Sequence, residues 1–579
     1  MKSIKYILFV SLILSASCED VLDKAPLSKI SENEVWVNEV MIKGYVTNLY
    51  SRIPFNNVLA NYNMWFPWTD EGTVCTGNAN IYTNGTISKG SEGNAYWDYG
   101  YIRDCNIFLE KITSSPIDAA VKAQLEGEVR FMRAFAYFEM MKRYGGVPLV
   151  DVVIDPFQPI NEEYLVRATE KSIADFIDSE LTIAIGLLPE AATPKGRINK
   201  WAAYALIARS NLWAASIAKY GNLELGGLVG IPASEANSYY AKASAAANAV
   251  IGSAKYSLYN ANPADKAENY RMIFIEENNS EVIFEKPYDG VNNAHSYDGW
   301  VAPDTWVGRG SLSNPLLEWL LGYENIDGSS TQPAFGEANL YSDGWEPFAN
   351  KDPRLKATVF FQGDTYPNGT IETYEGIDPS VTPTPSTIIS SPSLAHNGKA
   401  SVGLDSRMVP KDDMSTNSGF ITKKYIVTTQ KDIQENASYT NLLVFRLAEM
   451  YLTVAEAEFE MGNILPAVNA LNQTRERAGI SLVDATTITL DKIRTERRSE
   501  LAFEAHRYWD LRRWRTAASV LNNRFKGLRI IYHSSSGKYY FLPFDAETIT
   551  RSFKQEHYYN PITSSRINNN PMLVENPLY

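Results

Sequence analysis

Cysteine and histidine are scarce in this chain of 579 residues, and their scarcity limits the metal chemistry it can support. There are three cysteines and five histidines, and no two histidines have the helical spacing of four. A structural zinc site needs four such ligands that meet in space. Asp304, Asp327 and Asp343 lie in loops where calcium could bind, but none has the spacing of an EF-hand loop. We therefore predict no cofactor and no obligatory metal.

Basic charge and long apolar runs are also lacking. The chain has 54 lysines and arginines against 67 aspartates and glutamates, which gives a net charge of −13 and a pI near 5.2. No basic stripe interrupts this balance, which argues against a nucleic-acid partner. After the N-terminal region, no segment offers the roughly 20 apolar residues of a transmembrane helix. The sequence also contains no nucleophile elbow, zinc-enzyme motif or phosphate-binding loop.

The first residues have the pattern of an export signal. Two lysines precede an apolar run over residues 6–16, which is too short to span a bilayer. Small residues come directly before Cys18, as in bacterial lipoprotein processing. We therefore predict a signal peptide over 1–17, acylation of Cys18 and a lipidated tether over 18–35 that anchors the chain to a membrane. An ordinary signal peptide cut near Cys18 is the alternative.

Helical periodicity dominates the rest of the chain in four blocks. Residues 199–219 and 234–251 form one predicted helix pair, and residues 447–461 form another with the segment that ends at Gly479. The second pair is close to the tetratricopeptide period of ~34 residues. We therefore predict a mainly α fold of tetratricopeptide-like helix pairs, packed with long irregular loops and a few short strands. The long loops are rich in Gly, Asn, Asp and aromatic residues: 54–96, 260–350 and 351–440.

Residues 496–514 carry the most informative pattern of the chain, ERRSELAFEAHRYWDLRRW. From Leu501 onwards, apolar residues recur three and four apart, which predicts one face of an α-helix. Glu496, Glu500 and Glu504 form a row of carboxylates among arginines. A catalytic acid needs an apolar pocket that raises its pKa, whereas neighbouring arginines lower the pKa. The pattern therefore favours a structural ion-pair lattice over a catalytic row.

This segment closely resembles a signature helix of the SusD/RagB family, the glycan-binding outer-membrane lipoproteins of Bacteroidetes. Residues 128–148, EVRFMRAFAYFEMMKRYGGVP, are very similar to the family's N-terminal signature helix and the turn that ends it. Residues 351–355, KDPRL, and the last four residues, NPLY, are also similar to family motifs. The resemblance implies a SusD-like fold with one body and two parts: 36–579, divided into about 36–310 and about 311–579.

The same resemblance implies a function. Such a protein is expected at the outer membrane, lipid-anchored and exposed at the cell surface, where it captures oligosaccharides without catalysis. It would deliver them to a SusC-like TonB-dependent transporter and act as the transporter's lid. One alternative is a RagB-like protein that binds peptides or glycopeptides, as tetratricopeptide grooves often do. Another is a surface glycosidase, which needs two carboxylates roughly 5–9 Å apart across a cleft.

Candidate ligand-binding residues come from two aromatic loops. Sugars present flat patches of C–H bonds rimmed by hydroxyls, so their sites need exposed aromatic faces beside polar side chains. The family resemblance implies that the loop after the first helix and a later loop both reach the glycan. We predict that the aromatic residues stack on the sugar and that the others bind its hydroxyls, although a tryptophan here could instead be a core residue. The predicted residues are Trp65, Trp68, Asp70, Asn80, Tyr82, Trp300 and Trp306.

Overall fold

The computed structural model of the protein describes most of the chain after the predicted signal peptide. The predicted signal peptide, Cys18 and most of the predicted tether lie outside the described residues. Within the described part, no helix is long and apolar enough to cross a membrane. The described ranges are 32–60, 65–77, 80–191, 193–308, 310–409 and 415–579.

Helices carry most of the architecture. The longest helices form the N-terminal half and one later pair, and the shorter ones lie within the long loops and near the C-terminus. The α-helices of the described ranges are α1 (Glu32–Val35), α2 (Glu39–Ser51), α3 (Tyr99–Ile112), α4 (Ala119–Tyr144), α5 (Glu170–Leu187), α6 (Lys200–Tyr220), α7 (Ala236–Gly252), α8 (Lys266–Met272), α9 (Tyr297–Val301), α10 (Asp304–Val307), α11 (Leu317–Leu321), α12 (Pro353–Thr358), α13 (Leu447–Glu460), α14 (Ile464–Ala478), α15 (Leu490–Glu500), α16 (His506–Arg513), α17 (Ala517–Leu521) and α18 (Ser564–Asn569).

Strands are short and form small sheets. Antiparallel pairs join β1 to β3, β2 to β11, β4 to β10, β5 to β6 and β8 to β9, while β12 pairs with both β13 and β7. The strands are β1 (Gly72–Val74), β2 (Val282–Lys286), β3 (Ser313–Pro315), β4 (Val359–Phe360), β5 (Thr365–Tyr366), β6 (Gly369–Thr370), β7 (Ile377–Asp378), β8 (Ala395–His396), β9 (Lys399–Ala400), β10 (Ile421–Thr422), β11 (Leu442–Arg446), β12 (Lys526–His533) and β13 (Lys538–Asp545).

The predicted helix pairs are present and pack into one layer. Helix α6 begins where the Asn199 side chain accepts a hydrogen bond from the Ala202 backbone N–H, which satisfies a free donor of the first turn. Helix α6 packs against α5 and α7, and α7 packs against α13 of the later pair. Gly479 ends α14 in the left-handed conformation. The prediction of a mainly α, tetratricopeptide-like fold is therefore confirmed.

The last residues of the chain bind the end of the long helix α4. After Tyr144, Gly145 adopts a positive φ of 74°, which allows the chain to turn sharply. Arg167 Nη2 donates to the Tyr144 carbonyl at 2.7 Å and to Asn576 Oδ1 at 2.9 Å. Arg167 Nη1 donates to the Val574 carbonyl at 2.7 Å. The C-terminal tail is therefore built into the end of α4.

The predicted single helix over 496–514 is in fact two helices. The first ends at Glu500 and the second begins at His506, with a five-residue turn between them. Within that turn Phe503 and Ala505 have positive φ angles of 60° and 63°, which no helix contains. The apolar spacing continues across the turn, so the periodicity alone gives no sign of the break.

The carboxylates of this segment form a buried ion-pair lattice. Arg354 Nη1 contacts Glu496 at 2.6 Å and Glu500 at 2.7 Å, and Arg446 Nη1 contacts Glu500 at 2.5 Å. Burial alone would raise the pKa of Glu500, but Arg477, Arg446 and Arg354 hold that pKa well below its usual value. A carboxylate held in its charged form cannot serve as a proton donor. The predicted structural lattice is therefore confirmed.

Candidate functional site

The aromatic residues of the first predicted loop pack into the core. Trp65 is 3% exposed and Trp68 is 7% exposed. The ring of Trp68 stacks on Tyr82 at a centroid distance of 3.7 Å, and both tryptophan rings lie 5.8 Å from the ring of Tyr508. The prediction of open stacking faces is therefore wrong for Trp65 and Trp68, because neighbouring rings cover them. Tyr82 is half-buried, and its role as a stacking residue stays a prediction.

The polar residues of the same loop have structural partners. Asp70 is 4% exposed, and its two oxygens accept hydrogen bonds from Arg507 at 2.8 Å and from Arg498 at 2.9 Å. Although burial opposes them, these arginines hold the pKa of Asp70 well below its usual value. Both oxygens of Asp70 are therefore engaged within the protein, and its contact with a sugar stays a prediction. Asn80 Oδ1 accepts the Tyr82 backbone N–H at 3.0 Å, so Asn80 shapes the turn, and its contact with a ligand stays a prediction.

The second predicted loop folds into the short helices α9 and α10. Gly308, with a φ of 78°, ends α10 in the left-handed conformation. The Leu312 N–H donates to the Trp300 carbonyl at 2.9 Å, and the Cys75 N–H donates to the Leu312 carbonyl at 3.0 Å. The bond between Cys75 and Leu312 continues the β1–β3 pairing. The structure therefore brings the two predicted loops together. Trp300 is half-buried, and Trp306 is 8% exposed.

Trp306 stacks on a tyrosine that the sequence analysis did not select. The rings of Trp306 and Tyr366 are 5.2 Å apart with an interplanar angle of 23°, and Tyr366 is half-buried at the start of the β5–β6 hairpin. The Trp306 indole N–H donates to the Lys431 carbonyl at 3.3 Å, which fixes the ring. We call this stacked pair, Trp306 and Tyr366, the aromatic shelf.

Polar groups surround the aromatic shelf. The Tyr366 hydroxyl donates to Thr305 Oγ1 at 2.9 Å, and the Thr305 hydroxyl donates in turn to Asp405 Oδ1 at 2.6 Å. Asn368 is exposed at the tip of the hairpin, and its side-chain N–H donates to the Lys431 carbonyl at 2.9 Å. This arrangement holds a flat aromatic surface rigidly and places hydroxyl and amide groups at its edge, which suits the recognition of a sugar ring.

A buried acid lies in α9, next to the aromatic loops. Asp298 is 1% exposed, and its Oδ1 has no hydrogen-bond partner among the described residues. Burial raises the pKa of Asp298 to about 7. The Asp298 backbone N–H donates to Ser438 Oγ at 3.2 Å, which ties α9 to the neighbouring loop. The carboxyl is therefore largely uncharged in mildly acidic solution, and its charge near neutral pH depends on this burial.

A local signal pointed to the hairpin that carries Tyr366. The sequence Tyr366-Pro367-Asn368-Gly369 contains the Asn-Gly dipeptide that marks tight β-hairpins. A tyrosine directly before such a turn is held near the surface by a rigid element. The partner of that tyrosine is 60 residues earlier in the chain, so the stacked pair itself could not be read from local sequence.

Comparison with known proteins identifies the family. A sequence model of the SusD family matches residues 265–579, which is more than half of the chain. A second family model, described as starch-binding and associating with the outer membrane, matches residues 20–212. The chain therefore belongs to the SusD family.

Individual relatives extend over nearly the whole chain. A SusD-like protein of Bacteroides ovatus is 24% identical over 100% of this chain and 98% of its own length. SusD-like protein P25 of Formosa agariphila is 23% identical over 90% of this chain and 92% of its own. A solved SusD-like protein of Bacteroides fragilis has a TM-score of 0.73 at 26% identity and covers 96% of this chain and 100% of that one. A solved laminarin-binding SusD-like protein has a TM-score of 0.60 at 21% identity, with 94% and 100% covered.

Proposed function

We propose that this protein binds an oligosaccharide at the aromatic shelf. The observation that carries the proposal is the stacked pair of Trp306 and Tyr366, which is ringed by hydroxyl and amide groups. A sugar ring lays its C–H face on an aromatic ring and exchanges hydrogen bonds with polar groups at the edge. Because both rings are already fixed, little side-chain entropy is lost when the sugar binds.

Two of the predicted residues, Trp300 and Tyr82, extend this proposal. Trp300 is half-buried in α9, and Tyr82 is half-buried above Trp68. The β1–β3 pairing connects their loops, so a longer glycan could reach from the aromatic shelf toward them. Asn80 remains the proposed polar contact of the first loop. In this proposal Tyr366 makes the central contact with the glycan. Trp300, Tyr82 and Asn80 contact sugar units farther along it.

The class of ligand is proposed from chemistry and from relatives. A laminarin-binding protein and a starch-binding family description are both among the matches, and both ligands are glucose polymers. Peptides are the second candidate, because stacked helix pairs often provide peptide grooves. The aromatic shelf favours a glycan, since it offers flat aromatic area and edge polar groups rather than a row of backbone partners.

We propose further that the protein is not an enzyme. The carboxylate row at Glu496, Glu500 and Glu504 belongs to the buried lattice. At the aromatic shelf, Asp405 accepts hydrogen bonds from Thr305 and from the Glu372 backbone N–H, as a positioning carboxylate does. A glycosidase would need a second carboxyl across a cleft from the first, with one of the two held as an acid.

The cellular role follows from the family and from the N-terminal pattern. We propose that Cys18 carries the lipid anchor and that the protein faces the outside of the cell. There it would close as a lid over a SusC-like TonB-dependent transporter and hand over the bound oligosaccharide. Modest affinity suits this role, because a tightly bound glycan would not be released into the transporter.

The experiment that tests the proposal is a binding screen of purified residues 19–579 against plant, microbial and host polysaccharides and a set of peptides. Native affinity gels would identify a ligand, and calorimetry would measure its affinity. We expect Tyr366→Ala to weaken glycan binding about 10-fold, since one aromatic contact contributes ~1 kcal/mol or more. Tyr366→Phe should retain most of the affinity, because the ring remains.

The matched control is Tyr451→Ala, which removes a half-buried tyrosine from the helical layer at α13. This variant should bind as the wild type does. Unchanged affinity in Tyr366→Ala would move the site away from the aromatic shelf. Binding of peptides but of no glycan would favour the RagB-like alternative, and release of reducing ends from a glycan would show catalysis.

A further inference from the structure

A small cavity of about 60 Å³ lies where helices α4 and α6 meet the turn between α15 and α16. Pockets for small organic ligands usually measure about 300–1,000 Å³, so a sugar ring does not fit here. In the same measure one water molecule needs about 10–15 Å³. The cavity therefore has room for one small ion together with a few water molecules.

The wall of this cavity carries donors without partners. Arg497 Nη1 and Trp213 Nε1 have no hydrogen-bond partner among the described residues, and the Tyr425 hydroxyl has no acceptor among them. All three residues line the cavity. Arg497 and Trp213 are each 3% exposed, and Tyr425 is fully buried. A buried donor left without an acceptor destabilises the folded state, so an acceptor inside the cavity would stabilise the fold.

His506 adds a fourth donor. Its Nδ1 lies 3.2 Å from Arg497 Nη2, and because a guanidinium only donates, Nδ1 must accept. Burial first, and then Arg209 and Arg497, keep the pKa of His506 well below its usual value. The neutral ring therefore carries its hydrogen on Nε2. His506 lines the cavity, so this N–H is available to an occupant.

The acidic side chains of the wall are already engaged. Glu504 contacts Lys424 at 2.8 Å and Arg446 at 2.8 Å. Asp510 accepts from Arg497 Nε at 2.9 Å and from Arg513 Nε at 2.8 Å. These carboxylates offer few acceptor positions to an occupant.

Three more cationic side chains, Lys142, Arg209 and Arg513, line the cavity. Lys142 Nζ lies 2.7 Å from Glu139, and Arg209 pairs with Glu449 at 2.6 Å. Burial lowers the pKa of Lys142 to about 7, and a negative charge in the cavity would favour its ammonium form. An anion in the cavity would therefore meet cationic side chains, each of which also has a carboxylate partner.

We propose that this cavity binds a small monovalent anion, with chloride as its occupant in ordinary salt. Guanidinium, indole, imidazole and hydroxyl donors belong to residues that line one small space, and an anion can accept from each of these groups. A water molecule brings two hydrogens of its own and needs acceptors for them, which the engaged carboxylates do not supply. The bound anion would stabilise the packing of α4 and α6 against the turn between α15 and α16.

The test compares chloride with gluconate, an anion too large for the cavity, at equal ionic strength. We expect the Tm to rise by about 1–3 °C when chloride is raised from about 5 mM to about 300 mM, because a ligand that binds the folded state stabilises that state. In gluconate the Tm should not rise. Trp213→Phe removes the indole N–H and should lose at least about half of that rise. Equal Tm values in the two salts would overturn the proposal.

The matched control is Trp201→Phe on the same helix. Its indole N–H also has no partner among the described residues, but Trp201 is not part of the cavity lining. This variant should keep the full chloride response, and an equal loss in both variants would overturn the proposal. If Trp213→Phe does not fold, Tyr425→Phe takes its place.

Crystallography provides an independent measurement. Crystals grown in bromide should show an anomalous peak within hydrogen-bond distance of Arg497 Nη1. Bromide peaks confined to the protein surface would overturn the proposal, even if the Tm depends on chloride.

Discussion

The sequence predicts the same role for the two tryptophan loops of this protein, but their roles in the structure are opposite. Trp65 and Trp68 turn inward and pack against Tyr508 of α16. Trp306 packs as closely, yet its partner is Tyr366, a half-buried residue on a surface hairpin. Aromatic content therefore does not separate a core loop from a binding loop. The difference lies in the surrounding rings: Trp65 and Trp68 both pack against the buried ring of Tyr508, although Trp68 also stacks on the half-buried Tyr82.

The largest expected effect concerns the buried lattice beneath the first loop. Arg354→Met should destabilise the protein by about 3–5 kcal/mol, because Asp352, Glu496 and Glu500 would lose a shared cation in a buried site. Denaturant unfolding measures this change. Arg524→Met is the control, since Arg524 and its partner Asp545 both lie at the surface, and it should have little effect on stability. A loss of similar size in the control would contradict the distinction.

A second prediction addresses the inward loop directly. Trp65→Ala should destabilise the protein by about 3–5 kcal/mol through loss of a buried ring. Trp65→Phe should remain folded and should bind the identified glycan with unchanged affinity. Thermal unfolding and calorimetry check the two halves of this prediction. A folded Trp65→Phe variant that no longer binds glycan would show that the inward loop takes part in binding after all.

The smallest effect is a dependence on pH in the outward loop. Folding raises the pKa of Asp298 from 3.8 to about 7, so between these values the folded protein holds a proton that the unfolded chain releases. The stability that this group contributes is therefore present below about pH 4 and is lost as the pH rises toward 7. Asp298→Asn cannot titrate, so it should gain about 1–2 kcal/mol relative to wild type between pH 4 and pH 8.

Denaturant unfolding at several pH values provides the measurement for Asp298→Asn. Asp155→Asn, on an exposed loop, is the control and should show no such gain. Parallel pH curves for wild type and Asp298→Asn would mean that the buried carboxyl keeps an ordinary titration.

The helical part of the fold could be predicted because it depends on local periodicity. Residues 199–219 were expected to be helical, and α6 occupies Lys200–Tyr220. The turn after Glu500 escaped prediction because long-range contacts stabilise it: Arg446 Nη2 donates to the Glu500 carbonyl at 2.7 Å, and Lys424 Nζ donates to the Ala502 carbonyl at 2.6 Å. No local sequence pattern predicts such distant partners.

The candidate site could be predicted only in part, for the same reason. Trp306 was selected from its loop, but Tyr366 owes its position to a hairpin that folds back over α10. Asp70 was expected to meet a sugar, whereas Arg498 and Arg507, more than 400 residues away in sequence, occupy it. Such distant partners decide which side of an aromatic or acidic residue is covered.

The attachment of the C-terminal tail to α4 has a consequence for the order of folding. Asn576 completes the hydrogen bonds around the Tyr144 carbonyl, and Asn576 lies three residues from the end of the chain. The end of α4 therefore has only part of its hydrogen bonds, such as the one from Arg167, until the segment around Asn576 has been synthesised. Contacts of such long sequence separation slow folding. A chain that still lacks the segment around Asn576 would thus have an incompletely bonded end of α4.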